Sequence, residues 1–218
     1  SSWRDKLNFE FMDLEGVPNS LKYVLRDILE VGSSKPFRRY NHWVAGCIYE
    51  YASKHQIKEI VELGAGGAPI TRHLIRQFPA WEVIFKITDL NPDTDQFKKL
   101  EQSDKRVCAI LESTDFSKKL KGFENSLLIL SAAFHHIPEN KKKYILAELK
   151  SISPHVIIFE PVCPNAKSIL MNFGILLTGI ATPLFQLKSK SIFRNILWCW
   201  VLPIAPLLLL WDGNISAL

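Results

Sequence analysis

The sequence predicts an α/β fold: a doubly wound, mostly parallel sheet with helices on both faces. Short apolar runs at 59–63, 83–88 and 127–130 alternate with amphipathic stretches of helical length. The run at 127–130 is continuously apolar, as strands buried on both faces are. Each of the runs then opens into glycine, proline or short polar residues, at the carboxyl ends of strands where open α/β sheets bind their ligands.

The first strand runs into Glu62-Leu63-Gly64-Ala65-Gly66-Gly67-Ala68-Pro69. Gly64 and Gly66 give the turn its freedom and let backbone approach a ligand. Pro69 suits the first helical position, where its missing N–H costs nothing. A turn built for pyrophosphate offers N–H groups to an anion, and a carboxylate two residues earlier conflicts with that use. Pro69 also occupies the third glycine position of the dinucleotide fingerprint. A cationic ligand carrying an amino acid group and a ribose accords better with Glu62.

This motif resembles the first motif of the class I S-adenosylmethionine (SAM) dependent methyltransferases, acidic-x-Gly-x-Gly-x-Gly, with Ala68 in place of the third glycine. The resemblance covers residues 56–161 and implies a Rossmann-like core with SAM as cofactor. In that family the glycines pass under the methionine and ribose portions, and the acidic residue helps hold the amino acid end, usually indirectly.

The second strand, 83–88, is rich in β-branched and aromatic residues and stops at Asp89-Leu90-Asn91-Pro92. Asp89 matches the ribose-binding acid of the family; Asp-x-Asn-Pro also suits a helix cap. A third strand over 106–111 leads to Glu112-Ser113-Thr114-Asp115, where the resemblance makes Asp115 the partner of the adenine amino group and Thr114-Asp115 alternatively caps a short helix. The fourth strand, 127–130, opens into Ser131-Ala132-Ala133-Phe134-His135-His136-Ile137-Pro138, then a helix over 140–150 and a fifth strand ending near Glu160-Pro161. A histidine pair after the fourth strand is found in many small-molecule members. The resemblance thus assigns cofactor binding to Glu62, Gly64, Ala65, Gly66, Asp89, Leu90, Thr114, Asp115 and Ser131, and catalysis to His135 and His136.

Methyl transfer from a sulfonium needs alignment, exclusion of water and, for weak nucleophiles, a base. Histidine, with an unperturbed pKa near ~6.5, suits the base, and adjacent residues rarely face the same way, so at most one of the pair touches substrate; a structural packing or hydrogen-bonding role is the alternative. His42, His55, His73 and His155 show no metal-ligand spacing. Ser131-Ala132-Ala133-Phe134 replaces the Asp/Asn-Pro-Pro-aromatic motif of enzymes that methylate base amines or glutamine amides. A net charge of +5 is compatible with RNA, but the basic residues form short groups typical of solvated helix faces, and no RNA module accompanies them. Nucleic acid is therefore not an expected partner, and no metal is expected. Cys47, Cys108, Cys163 and Cys199 are widely spread, as reduced intracellular thiols are.

Beyond the fifth strand the composition turns apolar. No charged residue occurs in 168–187, nor in 195–211, and Lys188, Lys190 and Arg194 separate the two stretches. A spanning helix needs about 20 apolar residues. The second stretch is shorter and carries Pro203 and Pro206, and cations flank both ends of the first. A re-entrant or surface-lying helical hairpin at anionic headgroups fits these features; an apolar cap over the site, or a dimer face, is the soluble alternative. The last strands of the methyltransferase sheet are not found before Leu218, and with Ser1 at the start the sequence is expected to be a fragment.

Helices are predicted over 18–32 and 37–54, resembling the lid helices before the first strand of many members; Tyr40, His42 and Trp43 either touch ligand or pack the helix. The expected organisation is lid helices over 1–55, a SAM-binding core over 56–161 and an apolar helical segment over 162–218. The expected function is SAM-dependent methylation of a hydrophobic or lipid-like small molecule, on the cytoplasmic side, peripheral or monotopic at the inner face of the cell membrane. The alternatives are a membrane-associated SAM-fold protein without catalysis and an NAD(P)-dependent oxidoreductase.

Overall fold

A computed structural model describes residues 16–34, 38–118, 120–134, 137–160, 166–185 and 192–217. By internal contacts the chain divides into two units, Arg39–Pro161 and a second one that joins Ser1–Arg38 to Val162–Leu218.

The first unit is the predicted α/β sheet, doubly wound and Rossmann-like. Its strands are β1 (Glu59–Leu63), β2 (Ile84–Thr88), β3 (Val107–Ala109), β4 (Leu127–Ser131) and β5 (Val156–Phe159), in the order β3-β2-β1-β4-β5 with every pairing parallel. The chain winds outward from β1 through β2 to β3, then returns to the other side of β1 for β4 and β5. The switch point therefore lies between β1 and β4, whose register aligns Leu63 with Leu130.

Side chains alternate between the two faces of the sheet. Ile60, Phe85, Ile87, Leu127 and Ile129 pack against Ile70 and Leu74 of α3 (Pro69–Gln77) and Phe97 and Leu100 of α4 (Thr94–Ser103). Val44, Ala45, Ile48 and Ala52 of α2 (Arg38–Lys54) join the same cluster. On the opposite face Val61, Leu63, Leu128 and Leu130 meet Ile145 and Leu149 of α5 (Glu139–Ile152). The β3–β4 connection contains no helix among the described residues, and Leu120 and Phe123 cover that part of the sheet. Arg106 ties the start of β3 to the loop after α3. It donates to the carbonyls of Phe78 and Trp81 at 2.9 Å and pairs with Asp104 at 2.7 Å.

The second unit is helical: α1 (Asn19–Ser34), α6 (Ala166–Phe185), α7 (Ile192–Ile196), a π turn (Leu197–Val201) and α8 (Ile204–Ala217). Its core combines Leu21, Val24, Leu25 and Ile28 of α1 with Cys199, Ala205 and Leu209. The expected pair of N-terminal lid helices is thus divided between the units: the apolar stripe of α1 faces the C-terminal helices, whereas that of α2 faces the sheet. Among the described residues β5 is followed only by helices. The described cysteines Cys47, Cys108 and Cys199 are free.

Candidate functional site

The site is built at the carboxyl ends of β1, β2, β3 and β4. After β1 the backbone takes left-handed values at Gly64 (φ 63°), Gly66 (φ 53°) and Ala68 (φ 52°). At Gly64 space as well as φ demands glycine, because a Cβ there lies 3.0 Å from the Cβ of Ala133 and 3.3 Å from the ring of Phe116. Gly66 is different. It is exposed, and a Cβ there meets nothing within 4 Å, so open space lies above the turn.

Asp89 locks this turn. Its Oδ2 accepts the Gly66 N–H at 2.7 Å and its Oδ1 accepts the Asn91 N–H at 2.8 Å. The Ala65 N–H donates to the Thr88 carbonyl at 2.9 Å, so β1 and β2 end as one rigid edge. The half-exposed Asp89 carboxylate retains lone pairs beyond those the two N–H groups take, as a carboxylate has about four acceptor sites. Asp93, not Asp89, caps α4, through the Gln96 N–H.

Glu62 points the other way, beneath α3. The helix begins at Ala68 without a side-chain cap of its own. Glu62 supplies one from the strand, accepting the N–H of Ile70 at 3.4 Å, the N–H of Thr71 at 2.9 Å and the Thr71 hydroxyl at 2.6 Å. Burial pushes the carboxyl up to about 7, against the opposing pull of the Thr71 and Ile70 hydrogen bonds and the charge of Arg72. Any ligand above the turn feels Glu62 through the helix start rather than by contact.

The third strand end is held to the second by Thr114 N–H on the Asp89 carbonyl (2.8 Å) and by the Ser113 hydroxyl on the Leu90 carbonyl (2.6 Å). Leu90, Ile110, Ser113, Thr114, Asp115 and Phe123 line a cavity of about 600 Å³, joined by Lys118 and Lys121. Asp115 caps no helix. It accepts from the Ser117 hydroxyl and N–H and pairs with Lys118 at 3.2 Å. Partial burial raises its pKa, but these donors outweigh burial and hold the carboxylate below its usual range.

At the β4 tip, Ser131 is followed by Ala132 at φ 54°, whose N–H donates to the Phe159 carbonyl. His135 and His136 lie outside the described residues. Phe134, just before them, donates its N–H to Glu160 Oε1 at 2.7 Å. Sequence reasoning missed Glu160, Thr71 and Phe116. Glu160 and Phe116 acquire their roles from distant elements, and Thr71 from the adjoining strand through a fold-dependent turn of Glu62. Tyr40 and Trp43 stand together, ring centroids 6.2 Å apart, and Trp43 meets Phe159 edge-on at 6.1 Å while remaining largely exposed. Among the described residues no group of three or more His, Cys, Asp or Glu side chains is placed to hold a metal ion.

The strand ends thus bring together open space over Gly66, an acceptor-rich carboxylate at the β2 tip, and beyond Leu90 a cavity lined by both apolar and polar side chains. Comparison of the sequence with family models and with curated proteins yields no match. Among solved structures, the fold is similar to that of the plantazolicin methyltransferase BpumL in complex with SAH. The TM-score is 0.48 at 12% identity, over 92% of this chain and 72% of that one.

Proposed function

We propose that the chain is a SAM-dependent methyltransferase whose acceptor is a hydrophobic or lipid-like small molecule, met at a membrane surface. The observation that carries the reading is Asp89, at the tip of β2 and one hydrogen bond from Gly66, beside the switch point of the sheet. A ribose diol presents two donors to such a carboxylate. Leu90 and the cavity behind it would hold the adenine, with Ser113, Thr114 and Asp115 within the same lining.

When bound, the cofactor supplies an electrophilic methyl on a sulfonium. An acceptor that must lose a proton needs a base, for which His135 or His136 is proposed. Tyr40, Trp43 and Phe159 offer an aromatic wall beside the β4 and β5 tips, which suits an apolar acceptor.

Calorimetric titration with SAM, its demethylated product and NADH tests the reading. Micromolar affinity for SAM or product, lost in Asp89→Ala, is expected. Affinity for NADH alone would make the protein an oxidoreductase instead. SAM binding without transfer to any lipid-like acceptor, unchanged when both histidines are replaced, would leave a binding protein without catalysis.

A further inference from the structure

The helical unit exposes many large apolar side chains. On α6, Leu177, Ile180 and Leu184 form an exposed stripe at helical spacing, and on α8, Ile204, Leu207 and Trp211 form another. Between them the chain bends. Residues Ile192–Val201 and Ile204–Trp211 form a pair of helical arms with a 69° bend. Pro203 at the break has no N–H to continue the ladder. The outer surface at the bend is apolar too: Val201 is 63% exposed, with Trp200 and Leu202 beside it. Contiguous patches of this kind mark an interaction site.

The polar groups of this unit show which partner the surface fits. The Thr178 and Thr182 hydroxyls donate to carbonyls four residues back in their own helix, at 2.8 Å. The indole N–H of the exposed Trp200 donates to the Ile180 carbonyl at 2.7 Å. Arg194, the sole charged residue within 192–211, is paired with Asp27 at 2.6 Å and stacked over Tyr23. These polar groups turn onto the chain's own backbone and counter-ion beneath an apolar exterior, which suits a solvent that offers no hydrogen bonds, although the buried Trp198 indole N–H and Arg194 Nε have no partner among the described residues. Lys167, Lys188 and Lys190 border the apolar stretches in the sequence, as groups that meet anionic headgroups do.

Depth separates the modes of membrane contact. No single described helix is long and apolar enough to cross a membrane. The arms are about 15 and 12 Å long at helical rise, and with the 69° bend a symmetric entry buries the elbow only about 8 Å. A crossing needs about 30 Å, whereas amphipathic helices lie about 5–10 Å into the headgroup and acyl boundary.

We infer that the elbow 192–211 is a monotopic membrane wedge, inserting Trp200, Val201 and Leu202 into one leaflet of an anionic bilayer. The inference is independent of methyl transfer. The test is flotation of the purified full chain with phosphatidylcholine vesicles, with and without phosphatidylglycerol, together with quenching of tryptophan fluorescence by lipids brominated at shallow or deep acyl positions. Expected are co-flotation, at least tenfold tighter with the anionic lipid, and stronger quenching from the shallow bromines, reduced in Trp200→Phe. The double variant Val201→Asp/Leu202→Asp alters exposed positions and should keep its helical circular dichroism, while its partitioning falls at least tenfold. A full chain that stays in the aqueous fraction with both vesicles overturns the inference, as does a double variant that floats like the parent. Deep quenching stronger than shallow would make the elbow part of a spanning structure. A stable dimer in vesicle-free sedimentation, dissolved by the same double variant, would assign the face to a second copy.

Discussion

Glu62→Gln isolates the most unusual charge in the candidate site. In the folded chain the carboxyl is buried and titrates near 7 instead of its usual 4.5. Between those values the native state holds a proton that the unfolded state has released, so the native state binds more protons and stability falls as pH rises. The contribution is fully present below 4.5, declines through the window and is gone above about 7. A displacement of that size corresponds to about 3 kcal/mol. The glutamine variant keeps the shape and an oxygen for Thr71, but turns an amide N–H₂ toward the α3 start, a pH-independent cost of about 1 kcal/mol. The assay is urea unfolding of both proteins from pH 4.5 to 8. Other titrating groups cancel in the difference, and the variant should gain on the parent by about 3 kcal/mol across the window. Parallel curves would refute the reasoning. A difference of opposite sign would show that the Thr71 and Ile70 hydrogen bonds outweigh burial.

Four further outcomes are expected. Asp89→Ala strands the Gly66 and Asn91 N–H groups and removes the proposed diol acceptor, so SAM affinity measured by calorimetry should fall by roughly 10–100-fold, with Asp89→Asn in between. Gly64→Ala forces a side chain into left-handed backbone against Ala133 and Phe116, and should cost about 2–3 kcal/mol in denaturant unfolding. Gly179→Val in α6 drives its Cβ to 2.9 Å from Pro206 of α8, and should lower the melting temperature through loss of helix packing. With native protein, maleimide should modify exposed Cys108 and spare Cys199, whose thiol burial and the charge of Asp27 push up to about 11; mass spectrometry after brief labelling reads the difference.

Much of the sheet was legible because local pattern and burial agree. β4 lies over Leu127–Ser131 and β2 over Ile84–Thr88, close to the runs that apolar continuity marks out. β3 is only Val107–Ala109, shorter than its apolar run, because it pairs on one side alone, with β2. The glycine turn and Asp89 could be placed together from strand order, since in a doubly wound sheet successive strand tips share one edge.

What the sequence determined by itself was the set of elements and the edge at which the site lies: periodicity sets the strand or helix, and turn residues set where each stops. The tertiary structure alone decided partners. It turned Glu62 under α3 and left Asp89 at the open turn, although both are acids beside the same glycines, because alternate strand residues face opposite sides and Glu62 shares the α3 side with Ile60. It also gathered Asp27 and Arg194 from opposite ends of the chain into one ion pair. Separations of that length carry no local signal, and only packing sets them.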